Sequence, residues 1–403
     1  MKRLLRDLAQ VASPAGTHAP LRGPDLGAVD VLEGAYVLID DDTIVDVGRM
    51  RDLQPIHGDV EEIECAGRSA VPGLVDCHTH PAFGGDRVEE FSLRAGGASY
   101  EELHTAGGGI LSTVRATRAA AADGTLADAV GEHRSWLAGA GTTTWEGKSG
   151  YGLDRDTELA SLEAVGALGG VPTWLGAHAV PPEFDGDADA YLDFALAEVL
   201  PAAARIAEAA DVFLERGAFD AAQARCYLTA CKEHGLALRL HGDQFTEQGA
   251  IPLAIELGAR SVDHLEATGD DGVHALAQSD VVGVLLPASA LFLGRPMPPA
   301  RALVDAGAAV ALATDFNPGS AFTESLPLVC SLAATQLKLA PAEALAAVTV
   351  NAAHVLRRAD RVGRVAPGYK ADVVVLDVPD WRYLAYHLGH DHVARVLRHS
   401  ALR

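Results

Sequence analysis

Positive charge is scarce in this chain. Lys and Arg number 32 against 55 Asp and Glu, a formal charge of −23 over 403 residues. A phosphate backbone would be repelled by such a surface, which excludes a nucleic-acid partner, and the same charge favours solubility. Aromatic residues are also few, at 5%, although 49% of the chain is hydrophobic. A sizeable core rich in Ala, Gly, Val and Leu suits the close helix–sheet packing of an α/β protein. There are only five cysteines, at 65, 77, 226, 231 and 330. No two have Cys-x-x-Cys spacing, and a chain this long is no disulfide scaffold. Free thiols in a reducing, cytoplasmic compartment are expected. No apolar run approaches ~20 residues, so no membrane span is expected. The start, MKRLLRDLAQVASPAG, is interrupted by Arg6 and Asp7, unlike a signal peptide. Internal repeats and low-complexity linkers are absent. The Gly triplet at 107–109 lacks the GxxxxGK[ST] pattern and reads as a flexible wall near a substrate, not a phosphate loop.

What the sequence does contain is organised in two ways. GAYVLIDDDTIVDVG (34–48) is two apolar runs joined by an acidic turn, a hairpin signal. GRVAPGYKADVVVLDV (363–378) is a Pro-Gly turn followed by a β-branched strand. Pairing of the two ends predicts a small β-sandwich domain from 1–70 and 364–403. Between them, short apolar runs alternate with Ala- and Leu-rich helical stretches such as 220–235 and 272–278. The runs are 71–77, 142–148, 172–178, 211–217, 237–243, 261–266, 281–287 and 308–315. Eight strands with intervening helices predict a (β/α)8 barrel over 71–363. The long, Gly-rich and charged gap from 79 to 141 predicts a lid or pocket wall.

Polar residues recur where these strands end. The first run closes on His78 and His80, which share a face because side chains at i and i+2 point the same way on a strand. His178, His241, His264 and Asp315 close later runs. Barrel enzymes place their active sites at the C-terminal ends of the strands. Imidazole nitrogens with one carboxylate suit a transition metal such as zinc or iron, and such a metal brings the pKa of bound water to about 7. A lone strand-end histidine is more often packed or solvated than a ligand; here the His78/His80 pair and its convergence with His241 and Asp315 carry the metal reading. His104, His234, His354, His387, His390, His392 and His399 fall outside the strand ends. The tail cluster of His387, His390, His392 and His399 could mimic a metal site, but a solvated terminal segment is expected.

The His-x-His motif, the later His, His and Asp, and the sheet from both termini resemble the amidohydrolase superfamily. CHTHPAFGGDRVEEFSLRAGGASYEEL, GGGILSTVRATR, KSGYGLDRDTELASLEAV, LGAHAVPPEF, DVFLERGAF, HGDQF and ATDFNPGS resemble the imidazolonepropionase family within it, over residues 71 to 377. The resemblance implies hydrolysis of the ring amide of 4-imidazolone-5-propanoate to N-formimino-L-glutamate by a metal-bound hydroxide. It places one zinc or iron on His78, His80, His241 and Asp315. It makes Asp315 the general base and then acid, and makes His264 the partner of the carbonyl or the water. Gln244 falls where the family places Glu or Gln near the ring. Arg87 would grip the propionate of this small anionic substrate, its bland alternative being a surface ion pair with Glu89 or Glu90. Tyr151 and His178 match substrate contacts. Asn317, Gly319 and Ser320 offer amide, backbone and hydroxyl groups to the propionate or ring. Lys148 is not expected to bridge two metals. A homodimer is implied by the family alone.

Departures from the family pattern lie at Trp145, Gly147, Gly242, Phe245 and 285–294, and they leave room for an altered pocket. Two alternatives stand beside this reading. One is a related superfamily deaminase or cyclic-amide hydrolase acting on another heterocycle, favoured if Arg87 and Tyr151 point away from the metal. The other is a metal-free barrel kept as a binding protein.

Overall fold

The computed structural model describes residues 1–97 and 108–398. Of the lid or wall expected over 79–141, the part at 98–107, including His104 and Gly107, lies outside the described residues, as does His399.

The N-terminal strands are β1 (Lys2–Pro14), β2 (Val29–Asp40), β3 (Thr43–Arg49), β4 (Val60–Glu64) and β5 (Ser69–Pro72). The barrel strands follow: β6 (Leu74–Asp76), β7 (Thr142–Lys148), β8 (Val171–Ala177), β9 (Ala209–Leu214), β10 (Ala237–Gly242), β11 (Ser261–His264), β12 (Val282–Leu285) and β13 (Val310–Leu312). β14 (Val373–Leu376) and β15 (Val393–Leu397) complete the set. β6 to β13 form one parallel eight-stranded sheet in sequence order. Its first and last members meet through a parallel bridge between Thr79 and Phe316. All eight expected runs hold a barrel strand, which gives the (β/α)8 architecture.

The other seven strands form a single mixed sheet, in the order β15-β14-β5-β1-β2-β3, with β4 also on β1. β1 pairs with β4 over its first half and with β5 near Gln10 and Val11. The β1–β2 register shifts between Leu5 and Leu8, where Asp7 takes φ 57°. At that bulge one long strand serves two neighbours, and the apolar sides enclose a core of Leu5, Leu8, Val37, Ile39, Val373 and Val375.

The domain boundary needs a small correction. The run 71–77 holds two strands. Ser69–Pro72 pairs antiparallel with Val373–Leu376 in the small sheet, and only Leu74–Asp76 belongs to the barrel. The boundary is therefore Gly73, not 70/71. A Cβ at Gly73 would lie 2.9 Å from Asp372 Cβ and collide with the Thr143 side chain, so only glycine passes between the two sheets.

Inside the barrel, period two decides which side chains reach the axis. Leu238 and Leu240 join the core under the helices. Arg239 and His241, between and after them, are buried polar residues facing inward contacts. Trp145 likewise packs outward, against Val165 and Leu137, and a Cβ on Gly170 would lie 2.6 Å from its ring. Among the described residues, no helix is long and apolar enough to cross a membrane. All five cysteines are free, and only Cys226 is exposed.

His354 is half-buried near the end of helix Ala352–Val355. Burial, helped by Arg260 and Arg22, pushes its imidazole down to about 4. The unfolded chain protonates this ring near 6.5, so the contribution of His354 to stability falls as pH drops from about 6.5 to about 4 and is constant on either side. His354→Gln should flatten this window, measured as a smaller loss of urea midpoint across it than in the parent chain. An equal loss in both would mean the ring takes its proton in the fold without penalty.

Candidate metal centre and substrate cavity

Four side chains converge at the mouth of the barrel. His78 and His80 leave the end of β6, His241 stands on β10, and Asp315 follows β13. His80 Nε2 lies 3.3 Å from His78 Nε2 and 3.3 Å from His241 Nε2. Asp315 Oδ1 is 3.3 Å from His80 Nε2 and 3.5 Å from His78 Nε2. All four residues are buried. His78, His80 and His241 could share one ion, as could His78, His264 and Asp315.

Two observations fit these residues to a divalent cation. First, His78 Nδ1 bonds Asp263 Oδ2 at 2.6 Å. That contact holds a proton on Nδ1 and turns the Nε2 lone pair towards its neighbours. Second, four buried carboxylates beneath and at the ligands, Glu146, Asp211, Asp263 and Asp315, face two buried cations, Lys148 and Arg239. Burial keeps Asp76 apart from this set, raising its carboxyl to about 7 while Thr314 bonds it. Buried charge has to be neutralised, and a divalent ion among the ligands does so. Burial would also raise Asp315, but the imidazoles of His78, His80 and His264 around it hold it well below the usual carboxylate range. Burial drives His80 well below its ordinary value, so the ring is neutral and able to ligate.

Asp211, Asp263 and Glu146 were not singled out from the sequence. Asp263 fixes His78, and Asp211 Oδ2 lies 3.1 Å from His241 Nδ1. Lys148 Nζ holds Asp211 at 2.7 Å and Glu146 at 3.0 Å, which makes it a buried counter-ion. The available signal was an acidic residue inside an apolar strand, as in TTTWEGK and SVDHLE. Such a residue is almost never buried without a partner.

A cavity of about 900 Å³ opens above the ligands, and every expected site residue except His78 lines it. His178 stacks on His80 with ring centroids 5.6 Å apart, and its Nδ1 meets Gly150 O at 2.9 Å. Burial, with help from His241, lowers it to about 4, which leaves a neutral ring with Nε2 as acceptor. Tyr151 lies beside both histidines, and burial raises its hydroxyl far above the ordinary value. Gln244 is buried on the loop after β10. Glu215 fixes that loop by accepting from Phe245 N at 2.8 Å and Thr246 N at 3.1 Å.

Arg87 combines both of its expected readings. Nε donates to Glu90 at 2.9 Å and Nη2 also engages Glu90, yet the residue lines the cavity. Nη1, the remaining arm, lies over Gly319, where a Cβ would be 3.0 Å from Arg87 Cζ. Asn317 is used differently from expectation. Its Nδ2 donates to Asp315 O and Ser320 Oγ, and its Oδ1 accepts from Gly319 N and Ser320 N. The amide therefore shapes the loop, and Ser320 Oγ, 3.2 Å from Asp315 Oδ2, orients the carboxylate. Of the sequence departures, Phe245 reaches the cavity, under Arg295 at 5.2 Å. Trp145 lies in the outer packing, and Gly242 makes room for Ala250.

Replacing Asp263 with Asn keeps the size of the side chain and removes the charge behind His78. Metal affinity, read by competition with a chromophoric chelator, should fall about 10–100-fold. Unchanged affinity would mean that Asp263 does not hold the ligand.

The amidohydrolase family matches residues 69–396. An imidazolonepropionase of Rubrobacter xylanophilus is 58% identical, with 99% of this chain and 98% of that protein covered. One from Chloroflexus aggregans is 46% identical, with 98% and 96% covered. Two solved structures share the fold alone. An adenosine deaminase of Xanthomonas campestris with bound zinc has TM-score 0.69 at 20% identity, covering 98% of this chain and 91% of its own. The guanine deaminase of E. coli has TM-score 0.71 at 15% identity, covering 99% and 98%. On the match of its whole barrel and the near full-length identity to these relatives, the chain belongs to the amidohydrolase family and, within it, to the imidazolonepropionases.

Proposed function

We propose that this protein hydrolyses the ring amide C–N bond of 4-imidazolone-5-propanoate to N-formimino-L-glutamate, a step of histidine catabolism. The observation that carries this reading is one cavity lined by His80, His241 and Asp315 and by a cationic arm, Arg87, above the buried His78. His78, His80, His241 and Asp315 would hold one metal, zinc or iron. Such an ion acts as a Lewis acid and brings the pKa of a bound water to about 7.

The chain's own residues supply the rest. Arg87 Nη1 takes the propionate carboxylate, while Glu90 holds the guanidinium in place. Arg94, Arg216 and Arg295 add positive potential around the cavity, needed on a protein of charge −23. His178 Nε2 accepts from a ring N–H, and Tyr151 closes the same wall. Asp315, ionised and oriented by Ser320, takes the proton of the attacking water and returns it to the leaving ring nitrogen. His264 hydrogen-bonds the carbonyl oxygen as its charge grows, with Gln244 beside the ring. One water is consumed, one ring C–N bond breaks, and no electron changes hands. A homodimer in the cytoplasm is part of the same proposal; the free thiols suit a reducing compartment.

Hydrolysis of freshly generated substrate, followed as loss of its ultraviolet absorbance, tests the reading. The native protein should consume it, and Asp315→Asn with normal metal content should not. Release of ammonia from a purine or pyrimidine, with no turnover of the imidazolone, would favour the deaminase alternative. Arg87→Met should raise KM about 10–100-fold, the worth of a hydrogen bond to a charged group, and leave kcat much less affected. The effect should vanish on the methyl ester of the substrate. An equal effect on acid and ester would remove Arg87 from the carboxylate.

A further inference from the structure

Two of the three described histidines of the C-terminal segment, His387 and His390, are exposed, as expected of a solvated segment, but the three rings lie together. His387 and His390 stack with centroids 4.5 Å apart and ring planes 15° off parallel. His392 completes a triangle, 4.5 Å from His390 and 5.0 Å from His387. The backbone makes this possible. His390 N donates to His387 O at 3.1 Å, and Gly389 takes φ 76°, a left-handed turn that glycine enters freely. One ring nitrogen from each histidine lies within 4.8 Å of the other two.

A carboxylate stands behind the cluster. His392 Nδ1 meets Asp377 Oδ1 at 2.7 Å, and Asp377 N donates to His392 O at 3.0 Å, tying the end of β14 to the start of β15. The proton of His392 is thereby fixed on Nδ1, which leaves the Nε2 lone pair directed at His387 Nδ1, 3.0 Å away. Asp263 stands behind His78 in the barrel in the same way. A carboxylate that orients a histidine through its far nitrogen is the usual support of a metal ligand. A hydrogen bond between His387 and His392 explains that pair, but it does not explain the third imidazole held against both. His392 is buried, whereas His387 and His390 are exposed, so an ion has direct access.

We infer that His387, His390 and His392, supported by Asp377, form a second metal site, separate from the barrel centre. Three imidazoles without a thiolate select a borderline divalent ion: zinc, nickel or copper. Three protein ligands leave a fourth position to water. The ion clasps the turn at 387–390 to β15 and, through Asp377, to β14.

The test uses untagged, full-length protein with its barrel metal already in place, titrated with Zn2+ against a chromophoric chelator. The parent should take up one further equivalent. The double variant His387→Ala/His390→Ala should lose it or bind it at least about tenfold more weakly, with hydrolysis unchanged. Both residues are exposed, and circular dichroism confirms that the variant is folded. Added Co2+ gives an independent readout: visible d–d bands should appear in the parent and be missing from the variant. Equal stoichiometry and affinity in the two proteins, or uptake by the parent at millimolar zinc only, would overturn the assignment.

Discussion

Charge buried along the axis of the barrel is the constraint on which the rest depends. Glu146 sits at its hub. It accepts from Lys148 and from Thr173 Oγ1, 2.6 Å away, and pairs with Arg239. Arg239 also donates to Cys77 O at 2.8 Å, one residue before the first ligand. Side chains from β7, β8, β9, β10 and β11 are thus bound into one polar layer. An ion pair in such a place gains little net stability, because both charges lose their water. What it supplies is position. Lys148 Nζ holds Asp211 at 2.7 Å and lies 3.9 Å from Asp263, so the carboxylates behind His241 and His78 are themselves held in place. Metal sites need ligands held to within about 0.5 Å, and the layer beneath them provides that rigidity.

Above the ligands the means are different. His264 and Asp315 hold φ values of 86° and 56°, a conformation that costs a non-glycine residue about 1–3 kcal/mol and persists only where the surroundings impose it. Around Asp315 the imposition comes from the loop itself. Asp315 N donates to His78 O and His80 N to Phe316 O, so the last strand is sewn to the first at the ligands. Asn317 then closes the loop on its own backbone. The cavity owes its shape to this self-bonded loop, to Glu215 under Phe245 and Thr246, and to the Arg87–Glu90 pair.

Much of this was legible in the sequence, for identifiable reasons. Parallel strands buried on both faces read as apolar runs, so all eight barrel strands stood out. Histidines at i and i+2 on one of them pointed to a shared face. The supporting carboxylates were harder to see. Asp211 and Asp263 sit within runs whose apolar neighbours dominate, and their partners lie on other strands. The Gly73 boundary was hidden because Val71 and Leu74 look alike while serving different sheets. The sequence DFNPGS does not show that the Asn317 amide is taken up by Asp315 on one side and Gly319 and Ser320 on the other, so it reads as a ligand contact. The tail histidines were read as solvated because their support, Asp377, reaches His392 only through the pairing of β14 with β15.

The continuity through Gly73 bears on how the chain is made. β5 ends shortly before the first metal ligand, and its partner β14 lies roughly 300 residues further on. At about 5–20 residues per second, a ribosome needs about 15–60 s to deliver that partner. Until then β5 carries an apolar, unpaired edge of the kind that invites association with other chains. The metal centre is anchored on a strand whose other half waits for a late arrival, so the small sheet sets the moment at which a nascent molecule becomes a finished one.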